Sequence, residues 1–129
     1  MPIALDHLIL PVKDLEESLR FYTGLLGLTD AGKREPFSVV RVTEECVIQL
    51  APWGTSGGGH LAFSMTQAEF DETFRRIREA GLKYGDAFDA AGNMKGPGDA
   101  EGARGETRSL YCMDPNDHLI EIVYYERGG

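Results

Sequence analysis

Four polar side chains stand in runs that otherwise read as apolar strands: His7 in DHLILPV, Gln49 in CVIQLA, His60 in HLAFSM and Glu121 in HLIEIVYY. Two imidazoles and a carboxylate from separate strands, with a carboxamide as a weaker fourth donor, form a set that leaves coordination positions open on a metal ion. Catalytic metal sites are built this way, and these donors suit Zn(II), Fe(II), Ni(II), Co(II) or Mn(II) without choosing among them. Plainer readings compete. A single histidine on an apolar strand is often a satisfied core residue, Glu121 can pair with an arginine such as Arg41 or Arg108, and Gln49 can hydrogen-bond a substrate instead of an ion.

Side chains alternate along a strand, so Glu121 shares a face with Leu119 and Val123, and His7 with Leu5 and Ile9. Burying a lone carboxylate costs several kcal/mol, so Glu121 in particular calls for a partner. His60 has the small Ala62 and Ser64 on its face, and Gln49 has Val47 and Ala51. His118 follows the turn-forming run DPND and is expected on the opposite face from Glu121, exposed or packed near the turn.

The elements that hold these residues repeat. Residues 13–27 (KDLEESLRFYTGLLG) place Leu15, Leu19, Tyr22 and Leu26 at helical spacing and end on Gly27. Residues 66–81 (TQAEFDETFRRIREAG) do the same with Phe70, Phe74 and Ile77, open with Thr66 and Glu69 in capping-box spacing and end on Gly81. A strand precedes each helix, and strands are expected afterwards at about 37–42 and 46–51 in the first half and 108–113 and 118–125 in the second. Superposing HLILPV on HLAFSM sets His7 on His60, and superposing VIQL on LIEI sets Gln49 on Glu121. Gln49 follows His7 by 42 positions, whereas Glu121 follows His60 by 61. The surplus lies in the glycine-rich, aperiodic stretch 86–107, read either as a flap over a site or as a disordered insert.

With 129 residues, 42% of them hydrophobic, the chain is long enough for one sizeable core, and one compact domain is the default. A formal net charge of −8 repels phosphate backbones and anionic headgroups, which argues against nucleic acid or a membrane surface as partner. No apolar run approaches the ~20 residues of a membrane span, and the first residues lack a secretory pattern. The chain is therefore expected in the cytoplasm, with Cys46 and Cys112 as buried free thiols.

The stretches DHLILPVKDLEESLRFYTGLLGL, GGHLAFSM and LYCMDPNDHLIEIVYY resemble the vicinal oxygen chelate superfamily of glyoxalases, bleomycin-resistance proteins and ring-cleaving dioxygenases, over nearly the whole chain. The resemblance implies an α+β fold: one domain over 1–129, built from two βαβββ modules at about 1–53 and 58–127 that form an open curved sheet around a divalent metal ion. It maps the metal positions to His7, His60 and Glu121, with Gln49 where some glyoxalases carry a glutamate. It also implies a substrate that chelates the ion through neighbouring oxygens, and a homodimer with Phe21, Tyr22 or Trp53 as contact residues.

Departures from the pattern narrow the branch. Ring-cleaving dioxygenases use a further active-site histidine, and only His118 remains here. Fosfomycin-inactivating relatives place a threonine where this chain has Ile9. A glyoxalase-like reaction needs a carboxylate that moves a proton beside a carbonyl, which Glu121 can do and Gln49 cannot. Lys95, Arg104 and Arg108, in or beside the long stretch, are candidates for an anionic substrate group, with ordinary surface charge as the plainer reading.

Two functions of different class follow. The first is a metal-dependent enzyme of the glyoxalase and dioxygenase type acting on a small molecule. The second is a metal-free drug-binding protein of the bleomycin-resistance type. Paired histidines favour the first, because a sequestering pocket has no need of them.

Overall fold

The computed structural model describes residues 3–126, and the chain divides between Ser56 and Gly57 into two compact units. The first runs β1 (His7–Pro11), α1 (Leu15–Leu19), β2 (Thr29–Arg34), β3 (Phe37–Arg41) and β4 (Val47–Ala51). The second runs β5 (His60–Ser64), α2 (Gln67–Glu79), β6 (Gly98–Gly102), β7 (Gly105–Met113) and β8 (Leu119–Tyr125). Each unit is therefore βαβββ. The sheet orders, β1-β4-β3-β2 and β5-β8-β7-β6, are the same arrangement made twice, with the first strand parallel to the last and the other pairs antiparallel.

Local chemistry explains each helix. Asp14 caps α1 by accepting from the Glu17 amide, and the chain continues into a π-helical turn, Arg20–Leu25, before Gly27 turns it out at φ 84°. Within that turn the Thr23 hydroxyl bonds the Leu19 carbonyl, competing with the ordinary ladder. Helix α2 begins on Thr66, whose side chain accepts from the Glu69 amide while Glu69 bonds back, a complete capping box. Gly81, at φ 71°, follows its end.

Each helix covers one face of its own sheet. In the first unit the buried set joins Phe21 and Tyr22 of the π-helical turn to Leu10, Val12, Val40, Ile48 and Leu50. In the second it joins Phe70, Phe74 and Ile77 of α2 to Phe63, Leu110, Ile120 and Ile122 of the sheet, with the Phe70 ring edge-on to Tyr124. Since Ile120, Ile122 and Tyr124 face the helix, alternation turns Glu121, Val123 and Tyr125 to the other side of β8.

Several expectations are corrected. Stretch 86–107 is not a loop throughout: β6 and the start of β7 lie within it, and Gly85 pairs with Tyr111 of β7 as an isolated bridge. Neither β2 nor β6 shows an apolar alternation, because both are edge strands, β2 is exposed along its length, and polar edges resist pairing with other chains. Phe21 and Tyr22 are core residues, 7% and 0% exposed, so they are not contact residues for another chain, whereas Trp53 is 59% exposed. Cys112 is buried as expected, but Cys46 is only half-buried. Among the described residues no helix is long and apolar enough to cross a membrane.

Candidate functional site

The repeat extends to the hydrogen-bonded ladders. In the first unit His7 pairs with Val47 and Ile9 with Gln49; in the second His60 pairs with Leu119 and Ala62 with Glu121. Each histidine thus stands diagonally across a parallel strand pair from its amide or carboxylate, on the sheet face away from the helix. Neighbouring positions of this kind lie within reach of long side chains.

In the second unit the diagonal closes. His60 Nε2 lies 3.0 Å from Glu121 Oε1, with the histidine side chain 48% exposed and the carboxylate only 10%. Two donors held on one ion at ~2.0–2.2 Å sit at about this separation. The pair therefore fits a divalent cation, and without one it makes a hydrogen bond or ion pair. In the first unit His7 Nδ1 instead lies 2.7 Å from Asp6 Oδ2. With Nδ1–H donating to that carboxylate, Nε2 keeps the lone pair a metal would use. The His7 side chain is 47% exposed and Ile9 beside it 42%. Among the described residues no three His, Cys, Asp or Glu side chains gather into a group that could hold a metal.

Glu121 has a second neighbour that residue spacing did not single out. Tyr111 is its direct partner across the β7–β8 ladder. Burial, then the charge of Glu121 beside it, raise the phenol above its ordinary range, while Ser109 pulls the other way. Alternation carries the row on along β7: the Ser109 and Thr107 hydroxyls are 2.7 Å apart and Thr107 bonds the Ala100 carbonyl. The residues are 2% exposed at Thr107, 0% at Ser109 and 6% at Tyr111. A row of buried hydroxyl-bearing residues thus runs along β7 to the ladder partner of Glu121. Alternating Thr, Ser and Tyr in TRSLY was the available signal. Arg41 and Arg108, the alternative partners for Glu121, are engaged elsewhere, Arg41 with the Glu44 carbonyl and Arg108 with Asp99.

His118 is buried rather than exposed, at 3%. Its Nδ1 accepts the Gly59 amide at 3.0 Å, one residue before His60, and the Leu119 amide returns a bond to the Gly59 carbonyl at 2.8 Å. The turn carrying it is organised by the buried Asp114, which accepts from the amides of Asn116 and His118. Glycine is required opposite it. A Cβ on Gly59 would stand 2.8 Å from His118 Nδ1, and Gly57, at φ 90°, lies against Asp117. The DPND turn and the GGG run therefore lock together and set the entry of β5 beside β8, which brings His60 to Glu121.

A groove of about 410 Å³ opens over the pair, lined by His60, Ala62, Glu101, Arg104, Glu121 and Tyr125 among others. Lys95 is not among its lining residues.

Comparison with known proteins agrees with this architecture. Residues 4–122 match the model of the Glyoxalase/Bleomycin resistance protein/Dioxygenase superfamily. A lactoylglutathione lyase of Salmonella typhimurium is 32% identical over 95% of this chain and 93% of its own. The glutathione transferase FosA of Serratia marcescens is 27% identical over 92% and 79%. The solved structure of the oxidase ChaP-H1 superposes with a TM-score of 0.79 at 32% identity, covering 99% of this chain and all of that one, 100%. With its doubled βαβββ architecture and a family match that runs from the first strand into the last, the chain belongs to the glyoxalase/bleomycin resistance protein/dioxygenase superfamily.

Proposed function

We propose that this protein is a metal-dependent enzyme, working in the cytoplasm as a homodimer, on a small molecule that binds the ion through neighbouring oxygens. His7, His60 and Glu121 are the ligands, with Gln49 as a weaker fourth donor, and the two units act as one domain. The observation that carries the reading is the approach of His60 to Glu121 at ligand spacing on an open groove. The register shared with His7 and Gln49 supports it.

A divalent ion held there, whether Zn, Fe, Ni, Co or Mn, would act as a Lewis acid toward a substrate oxygen. The chain's own groups account for the rest. Glu121 is the residue that takes and returns a proton beside that oxygen, and Tyr111 stands beside it as its partner across the ladder. Relatives named as lyase, transferase and oxidase share the superfamily, so fold alone does not select the reaction.

The test is the metal content of protein purified without chelator, compared with His60→Ala. The enzyme reading expects close to one divalent ion per chain in wild type and loss of it in the variant. Wild type that carries no ion, and gains no thermal stability from added Zn(II), Ni(II), Fe(II) or Mn(II), would instead mean a metal-free binding protein.

A further inference from the structure

Glu121 stands on β8 between β5 and β7, and the two neighbouring strands meet it differently. From β5 comes His60, whose Nε2 lies 3.0 Å from Oε1. From β7 comes Tyr111, directly opposite Glu121 in the antiparallel ladder. The backbone of Tyr111 is turned away from β8: its amide donates to the Gly85 carbonyl at 3.0 Å, and its carbonyl accepts the Gly85 amide at 2.9 Å. An antiparallel residue sends its amide and its carbonyl to the same side, so Tyr111 and Glu121 form a pair without backbone bonds between them. In such pairs the side chains stand closest. Gly85 makes its bridge where no larger residue fits, since a Cβ there would run into the Ala90 carbonyl.

Both side chains are buried. Water therefore reaches the carboxylate poorly, and a buried carboxylate needs donors for both of its oxygens. His60 faces Oε1. For the other oxygen the ladder brings up the Tyr111 phenol, on which the charge of the carboxylate already acts. Carboxylates that ligate metals are themselves hydrogen-bonded, and the second bond governs how they meet the ion. A carboxylate free to turn can fill two coordination positions with its two oxygens, whereas one held at the far oxygen fills a single position.

We propose that Tyr111 is a positioning residue for Glu121: its hydroxyl donates to the carboxylate oxygen that His60 leaves, so that Oε1 alone is offered to the ion. This rests on the metal-enzyme reading and adds to it the group that keeps a coordination position open for the substrate's neighbouring oxygens. Tyr111 acts through Glu121, not on the substrate.

Titration of metal-free protein with Co(II), followed by visible absorption, tests this with two variants. Tyr111→Phe removes the hydroxyl and keeps the ring. Thr107→Val removes a buried hydroxyl farther along the same row, one bonded to Ser109 and to the Ala100 carbonyl. Loss of a hydrogen bond to a charged group should weaken Co(II) binding about tenfold in Tyr111→Phe. The released carboxylate should also raise the coordination number, seen as weaker d–d absorption. Thr107→Val should match wild type in both respects. In Zn(II)-loaded wild type, NMR should find the Tyr111 hydroxyl proton protected from exchange and in contact with the Glu121 side chain, a reading that needs no variant to fold. Tyr111→Phe that keeps the wild-type affinity or spectrum, an unprotected hydroxyl proton, or a Thr107→Val spectrum altered in the same way overturns the role of Tyr111 and leaves the metal reading standing. Wild type that binds no Co(II) overturns both.

Discussion

The two units place a histidine and an amide-bearing or acidic side chain at the same ladder positions, yet only one of them brings the pair into contact. In the second unit His60 meets Glu121 at 3.0 Å, beside a turn whose His118 fixes the strand that carries His60. In the first unit His7 turns to its neighbour Asp6, Gln49 stands where the carboxylate would be, and Asp6 occupies the position matching Gly59. The repeat sets where the side chains stand. What surrounds each strand decides how firmly they are held, and the second unit is the more firmly built half.

The largest effect should come from breaking the lock that the second unit has. Gly57→Ala introduces both a left-handed backbone strain and a collision with Asp117, so unfolding in denaturant should show a loss of about 3 kcal/mol. His118→Phe keeps the ring but strands the Gly59 amide, a cost of about 2 kcal/mol. A melting curve unchanged by both would mean the turn does not register β5.

Making the first unit chemically like the second is the next step. Gln49→Glu replaces a neutral donor with a carboxylate at the equivalent position, and competition titration with a chelating dye should show divalent-ion affinity rising about tenfold. Unchanged affinity would remove Gln49 from the site.

Helix starts give a smaller contrast. Thr66→Ala dismantles a complete capping box and should cost about 1 kcal/mol at neutral pH, more than Asp14→Ala at the shorter first helix. Hydrogen bonds from Thr66 hold the Glu69 carboxyl below its usual range. That share of stability is present above the ordinary carboxylate value and is lost as pH falls through the lowered one. The Thr66→Ala penalty should shrink correspondingly in acid urea melts.

The smallest contrast is between the thiols. Burial, with the nearby Asp114 charge, pushes Cys112 up to about 12, while Cys46 is half-buried. At pH 8 a thiol reagent should label one cysteine per native chain, and rapid labelling of both would show that the β7 core opens.

Much of this was legible in the residues. Helices announced themselves through apolar spacing and terminal Gly27 and Gly81, and the buried strands through continuous Val, Ile and Leu. The repeat aligned His7 with His60 and Gln49 with Glu121 before any coordinates, and the ladders have the same register. Edge strands β2 and β6 were invisible because an exposed edge has no apolar face to display, so β6 hid inside a glycine-rich stretch. The turn sequence leaves His118 open to exposure or to packing near the turn, and the structure has the second. Here the buried Asp114 satisfies the turn's amides and makes room for a buried ring. Tyr111 went unnoticed because nothing in an apolar strand marks a tyrosine as the cross-strand partner of a carboxylate.

The account depends on His7, His60 and Glu121 serving one ion. Titration of metal-free protein with Co(II), followed by visible absorption, compares wild type with His7→Ala, His60→Ala and Glu121→Ala on the same scale. Each single substitution should weaken binding at least a hundredfold and alter the spectrum. A His7→Ala protein that binds Co(II) with the wild-type affinity and spectrum would contradict it.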